Sequence, residues 1–311
     1  MFAKNEKIFI YFKKKANFMG GSGCMFKIFT FKQLAIISFF LCLIMLLGSI
    51  LNTLSPYVDA FSEIGEEIPI IMYHQISENK SIWGDYVIPL SLLEEDFQYM
   101  KKHNLNPISF EQLKLYAEKG EKLPENPIII TFDDGERSFI TKVLPLLEEY
   151  KYPANMNLVG SLVELYTKNG DTDDRYAYLN EDDVKKLSGN ELVTLGCHSY
   201  NLHSLSSRRG MGKIYGESEE EYKKLIYNDI EKFNTDFEKM TGKKTDIMAY
   251  PYGIKNETLK SIVREKGFKI TLTCREEANR ISVGDSLEEL GRFNRPYGKS
   301  SKSFFEKIYK D

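Results

Sequence analysis

Two carboxylates stand side by side in Thr131-Phe132-Asp133-Asp134-Gly135, and two of the chain's four histidines fall within six residues in His198-Ser199-Tyr200-Asn201-Leu202-His203. One carboxylate with two imidazoles is a common ligand set for a catalytic divalent metal, because it leaves positions open for water and substrate. Neighbours in a continuing strand point to opposite faces, so both aspartates reach one site only if the backbone turns there, which Gly135 permits. A spacing of five matches neither one face of a helix nor one face of a strand. His198 and His203 therefore converge only where a strand end runs into a bent loop. Asp-Asp-Gly is also ordinary turn chemistry, and loop histidines also bond to backbone; the metal reading rests on the three groups taken together.

Such groups need a scaffold that brings distant segments to one edge. The apolar runs Ile68 to Tyr73, Ile128 to Phe132, Ala154 to Val159, Leu192 to Cys197, Ile247 to Tyr250 and Phe268 to Thr273 are continuous in their hydrophobicity, the pattern of buried parallel strands. Helical patterns lie between them: Leu92 to His103 after Ser91 as cap, Leu113 to Lys119 behind a Ser109/Gln112 capping box, Thr141 to Tyr150, Glu181 to Leu187, Glu221 to Met240, and Glu257 to Lys266 between Asn256 and Gly267. Repeated strand then helix predicts an α/β fold with helices outside a parallel sheet, either open or closed into a barrel. In such folds the chemistry sits at the C-terminal ends of the strands. His74, Asp133 with Asp134, His198, and Pro251-Tyr252-Gly253 follow the first, second, fourth and fifth runs.

This combination resembles the NodB-type polysaccharide deacetylases, a family of metal-dependent carbohydrate esterases, from about Ile68 to the C-terminal region. The resemblance implies a (β/α) barrel of the NodB type, distorted or incomplete. It implies Asp133 as general base and Asp134, His198 and His203 as ligands of a divalent metal, usually zinc, with nickel, cobalt or iron as alternatives. Met248-Ala249-Tyr250-Pro251-Tyr252-Gly253 looks like a further motif, with Pro251 lining the substrate groove and the backbone N–H of Tyr252 placed for the oxyanion. Two departures stand out: many members carry an arginine at the position of Ala249 to pair with the base, and a late Leu-x-x-His supplying the acid. Met72-Tyr73-His74 resembles the poly-N-acetylglucosamine deacetylase branch, whose motifs are circularly reordered and whose early Tyr-His supplies that histidine, so His74 is the implied acid. Arg292 and Arg295 are the candidates for orienting Asp133, and a purely structural arginine is the equal alternative for each. The implied substrate is a cell-surface N-acetylglucosamine polymer, exopolysaccharide ahead of peptidoglycan. An O-acetyl polysaccharide esterase and a non-catalytic glycan-binding surface protein are the competing readings.

Residues 1–32 hold seven lysines against Glu6, a balance of +6, while the whole chain carries −3 and residues 33–311 therefore −9. An acidic body without a basic stripe excludes nucleic acid as partner. Leu34 to Leu51 is free of charge and follows the lysines, which predicts a membrane segment with its N-terminal end in the cytoplasm and the body outside. The expected layout is a basic cytoplasmic segment over 1–33, a transmembrane anchor or uncleaved signal over 34–54, a linker over 55–67 and the deacetylase domain over 68–311. Cleavage near Val58-Asp59-Ala60, giving a secreted body, is the alternative. Hydrophobic residues at 42% and aromatics at 13% supply a core for one large domain. Cys197 and Cys274 read as buried thiols, and His103 as a solvated helix-terminal histidine without a role.

Overall fold

A computed structural model describes residues 31–62 and 65–309. The chain divides into two compact units, Met1–Ile64 and Gly65–Asp311. In the first, α1 spans Phe31–Ser62. Its side chains over 35–50 are exposed, Phe39, Ile44 and Met45 among them. No helix among the described residues is long and apolar enough to cross a membrane, so the membrane segment expected from Leu34 to Leu51 is without support there. The expected basic segment lies outside the described residues except at its C-terminal end.

The second unit is built on parallel strands: β1 (Ile70–Tyr73), β2 (Pro127–Phe132), β3 (Ala154–Leu158), β4 (Val193–Cys197), β5 (Ile247–Ala249), β6 (Ile270–Leu272) and β7 (Phe293–Asn294). They lie in the order β7-β1-β2-β3-β4-β5-β6, and the short strand Asn106–Pro107 adds beside β2. The sheet is thus the expected α/β barrel left incomplete. Its last strand crosses back to the first, with Phe293 opposite Ile71 and Asn294 opposite Met72. Glu66–Ile68 pairs separately and antiparallel with Asn279–Ile281.

Every residue of β1, β2 and β3 is buried, the polar Thr131, Asn155 and Asn157 included, as in a sheet covered on both faces. Alternate residues part into two cores. Ile71, Ile128 and Ile130 join Leu93, Phe97, Val184, Ile226 and Phe233 of the helices. Ile70, Ile129, Ile247 and Ile270 join Phe110 and Leu113. Along β2 the second face changes character: Ile129 is followed at the same side by Thr131 and then Asp133, so the apolar core gives way to polar groups at the C-terminal edge.

The outer helices are α2 (Leu90–Lys102), α3 (Phe110–Lys119), α4 (Leu144–Tyr150), α5 (Gly160–Asn169), α6 (Glu181–Ser188), α7 (Glu219–Thr241), α8 (Glu257–Glu265) and α9 (Ser301–Ile308). The Ser109/Gln112 capping box forms as predicted, and Asn256 caps α8. Ser91 does not cap α2. That helix begins at Leu90 behind Pro89, and the Leu90 N–H goes to the Glu78 carboxylate 3.2 Å away. Cys197 is buried, Cys274 is exposed, and both are free thiols. His103 ends α2 exposed, its ring stacked on Tyr99.

Candidate active site

Asp133 continues the ladder beyond β2, its N–H donating to the Tyr73 carbonyl at 3.0 Å. The backbone then turns through φ 75° at Asp134 and φ 84° at Gly135. This left-handed pair, costly for the non-glycine member, lets adjacent aspartates serve one site. His198 leaves β4 with its N–H on the Leu158 carbonyl at 2.8 Å, and Ser199 at φ 71° bends the chain that returns as His203. Tyr252, at φ 57°, lies just beyond β5 in the Pro251–Gly253 turn. Three of the left-handed non-glycine positions among the described residues, Asp134, Ser199 and Tyr252, thus lie at these strand ends.

The His198 and His203 Nε2 atoms lie 3.5 and 3.2 Å from one oxygen, Asp134 Oδ1. The Nδ1 atom of His198 is 2.8 Å from the Ala249 carbonyl. A carbonyl only accepts, so Nδ1 carries the proton and Nε2 is left as a bare lone pair. Burial pushes both imidazoles below the ordinary histidine range, against the opposing pull of Asp133 on each and of Asp134 on His198. Two neutral histidines and a carboxylate therefore converge. Asp134 Oδ1 is buried without a hydrogen-bond partner. The three ligand atoms, all within 4.8 Å of one another, form a group that can hold a metal ion. The donor set, two imidazoles and a carboxylate with a carbonyl fixing one tautomer, suits a borderline divalent cation.

Asp133 is a different kind of carboxylate. Burial alone would raise its pKa, but the Arg292 guanidinium and the neighbouring histidines hold it well below the usual carboxylate range. Arg292 donates from Nη1 to Oδ1 and from Nη2 to Oδ2, both at 2.8 Å, while its Nε donates to the Thr273 carbonyl at 3.0 Å. Asn157 Nδ2 donates to Asp133 Oδ1 at 2.7 Å and is itself held by Asn155 Nδ2 at 2.9 Å. Of the two arginines flanking β7, only Arg292 reaches Asp133. Arg295 instead makes a buried fork with Asp96 of α2 at 2.7 and 2.9 Å, and Tyr73 Oη donates to that same carboxylate. Asn155 and Asn157 were missing from the sequence reading. Their signal was present as polar residues at period two inside an apolar strand.

His74 follows β1 with its Nδ1 buried and unpartnered and its ring edge-on to Tyr86 at 4.8 Å. Tyr252 stacks on His203, the ring centroids 4.8 Å apart. Just past the turn, burial and the negative charge of Asp134 push Glu136 up to about 8. Asp134, His198 and His203 thus meet directly, Asp133 lies beside His198 at 3.9 Å, and Tyr252 borders them through His203.

Residues 120–271 match the family model for polysaccharide deacetylase. A poly-beta-1,6-N-acetyl-D-glucosamine N-deacetylase of Escherichia coli K12 is 25% identical over 257 residues, covering 76% of this chain and 38% of that protein. The enzyme of the same name from Staphylococcus aureus MSSA476 is 26% identical over 203 residues, covering 65% of this chain and 66% of its own length. The chain thus spans well under half of the Escherichia coli protein. Among solved structures, a de-N-acetylase from Aggregatibacter actinomycetemcomitans superimposes with a TM-score of 0.69 at 21% identity, covering 78% of this chain and all of that one, so the two share the fold. Family match and fold agree with the motifs at the strand ends: over residues 120–271 the chain matches the polysaccharide deacetylase family, within a fold it shares with a de-N-acetylase.

Proposed function

We propose that this protein is a metal-dependent, extracytoplasmic hydrolase that removes N-acetyl groups from a cell-surface polymer of N-acetylglucosamine. The observation that carries the reading is the meeting of Asp134 Oδ1 with the Nε2 atoms of His198 and His203 beside an Asp133 held by Arg292. The names of the Escherichia coli and Staphylococcus aureus relatives favour an exopolysaccharide over peptidoglycan.

Asp134, His198 and His203 would hold the ion, zinc being our first assignment. When bound, a divalent ion there supplies Lewis acidity to an acetyl carbonyl and brings the pKa of a water toward neutrality. That acidity matters because Asp133, kept ionised by Arg292, is a weak base whose role is to take a proton at a fixed place. Its fork with Arg292 and its bond from Asn157 leave it one orientation, which supports the reading of a general base. His74 stands at the neighbouring strand end and, protonated, gives a proton to the departing amine. Pro251 lines the groove, and the Tyr252 N–H, turned by the left-handed backbone at that residue, receives the negative charge developing on the acetyl oxygen. Acetate and a free amine remain. The charge-free run from Leu34 to Leu51 behind its lysines supports an anchor that leaves residues 68–311 outside the cell, with the basic segment over 1–33 inside and 55–67 as linker.

The test is acetate release. Residues 65–311 are freed of metal with a chelator, reloaded with zinc, nickel, cobalt or iron, and incubated with β-1,6-linked N-acetylglucosamine oligomers. Metal-dependent release, abolished in Asp133→Asn and reduced in His74→Ala, is the expected result. Binding of the oligomers without acetate release would replace the enzyme with a glycan-binding protein, and release from acetylated xylan alone would make it an O-acetyl esterase.

A further inference from the structure

The segment between the two histidines is held on both sides by groups that touch neither the cleft nor the proposed ligands. On one side the first N–H groups of α5 donate to it, Gly160 to the Ser199 carbonyl at 3.1 Å and Ser161 to the Tyr200 carbonyl at 2.7 Å. On the other, Asp229 from the middle of α7 accepts the Tyr200 N–H on Oδ1 and the Asn201 N–H on Oδ2, each at 2.8 Å. The Ser199 hydroxyl accepts the Leu202 N–H at 3.1 Å. Consecutive peptide units from 199 to 202 are thus tied down, and the left-handed Ser199 is over-determined by its surroundings.

Asp229 is an unusual residue for its place. It is 8% exposed, on a helix whose neighbouring inward positions are Ile226, Ile230 and Phe233. Burying a carboxylate among aliphatic side chains is costly unless its oxygens are matched by donors. Two adjacent backbone N–H groups need two acceptors side by side, and a carboxylate offers acceptors only, whereas a carboxamide presents an amino group to one of them. We propose that Asp229 is a positioning residue for the metal site, fixing the bend that returns His203 to the place where His198 already points. The proposal rests on the metal-site reading above and adds a residue outside the cleft on which that site depends.

Affinity for cobalt(II), measured on the full chain by competition with a chromophoric chelator, separates this role from simple stabilisation. The unfolding temperature of the metal-free protein and the visible absorption of the cobalt form are recorded alongside. Asp229→Asn keeps the shape and loses one acceptor; Asp229→Ala loses both. Ile226→Ala, on the same helix and without a hydrogen bond to the loop, reports what loss of stability alone does. We expect cobalt affinity to fall at least about tenfold in Asp229→Asn and further in Asp229→Ala, with an altered absorption band, as for other residues that orient a ligand from behind. Ile226→Ala should unfold at lower temperature with affinity within about twofold of the parent, because it leaves those orienting bonds intact. Unchanged cobalt affinity in both Asp229 variants, or an equal loss in Ile226→Ala, overturns the positioning role while leaving the metal site standing. Failure of both Asp229 variants to fold also overturns it, making Asp229 a determinant of folding. If the parent chain binds no cobalt, the metal-site reading itself fails and this one falls with it.

Discussion

Asp133 and Asp134 are neighbours in sequence with opposite electrostatic surroundings. One faces a guanidinium fork and an amide, the other two neutral imidazoles, with its Oδ1 buried and without a hydrogen bond. Replacing Arg292 by lysine keeps the charge and loses the fork, since an ammonium is a point donor. We expect acetate release to fall about 10- to 100-fold in Arg292→Lys, with cobalt affinity little changed, because the loss falls on the proton acceptor. Arg292→Ala leaves a buried charge unpaired and should cost about 3–5 kcal/mol in stability, read from urea unfolding. The histidines give a pH prediction. Both imidazoles lie below their ordinary range because of burial, so a proton displaces a bound ion only at lower pH than a solvated histidine would require. Cobalt absorption followed on acidification should therefore reach its midpoint below about 6.5, and a midpoint above that value would contradict the burial argument.

At the scale of elements, the cleft depends on what adjacent strands allow each other. Gly196 on β4 leaves room for Asn157 on β3; a Cβ there would lie 2.2 Å from Asn157 Oδ1 and 3.3 Å from Asn155 Nδ2. Gly196→Ala must therefore displace the amide that bonds Asp133. The expected outcome is an intact fold by circular dichroism, with about 10- to 100-fold less acetate release. The strands themselves were legible, because six continuous apolar runs coincide with β1 to β6 to within a few residues at each end. The capping box at Ser109 was legible for the same local reason. β7 was not, since two residues give no periodic signal and only the pairing with β1 makes them a strand. α5 and α9 were also missed, and α2 was given the wrong cap because Glu78, twelve residues away, receives its first N–H. The clustering of Asp134, His198 and His203 could be read because these residue types are rare and fall at strand ends. The partner of Asp133 could be narrowed only to two arginines, since a contact across 159 residues leaves no local trace.

For the whole molecule, the decisive contacts join the ends of the second unit. Arg292 meets Asp133, Arg295 meets Asp96, and β7 lies against β1. A chain ending at Leu290 would leave both buried aspartates without counter-charges, and we expect it to show no cooperative thermal transition by circular dichroism; a native-like transition would mean that the sheet stands without its last strand. This closure also sets an order in time. Synthesis runs from the N-terminus, so β7, which completes the sheet and brings the guanidinium to Asp133, is made only after β1 to β6. Folding must wait for contacts spanning 159 and 199 residues, a topology that slows the search for the native state. A ribosome that stops before Arg292 therefore releases a chain in which Asp133 has no guanidinium partner.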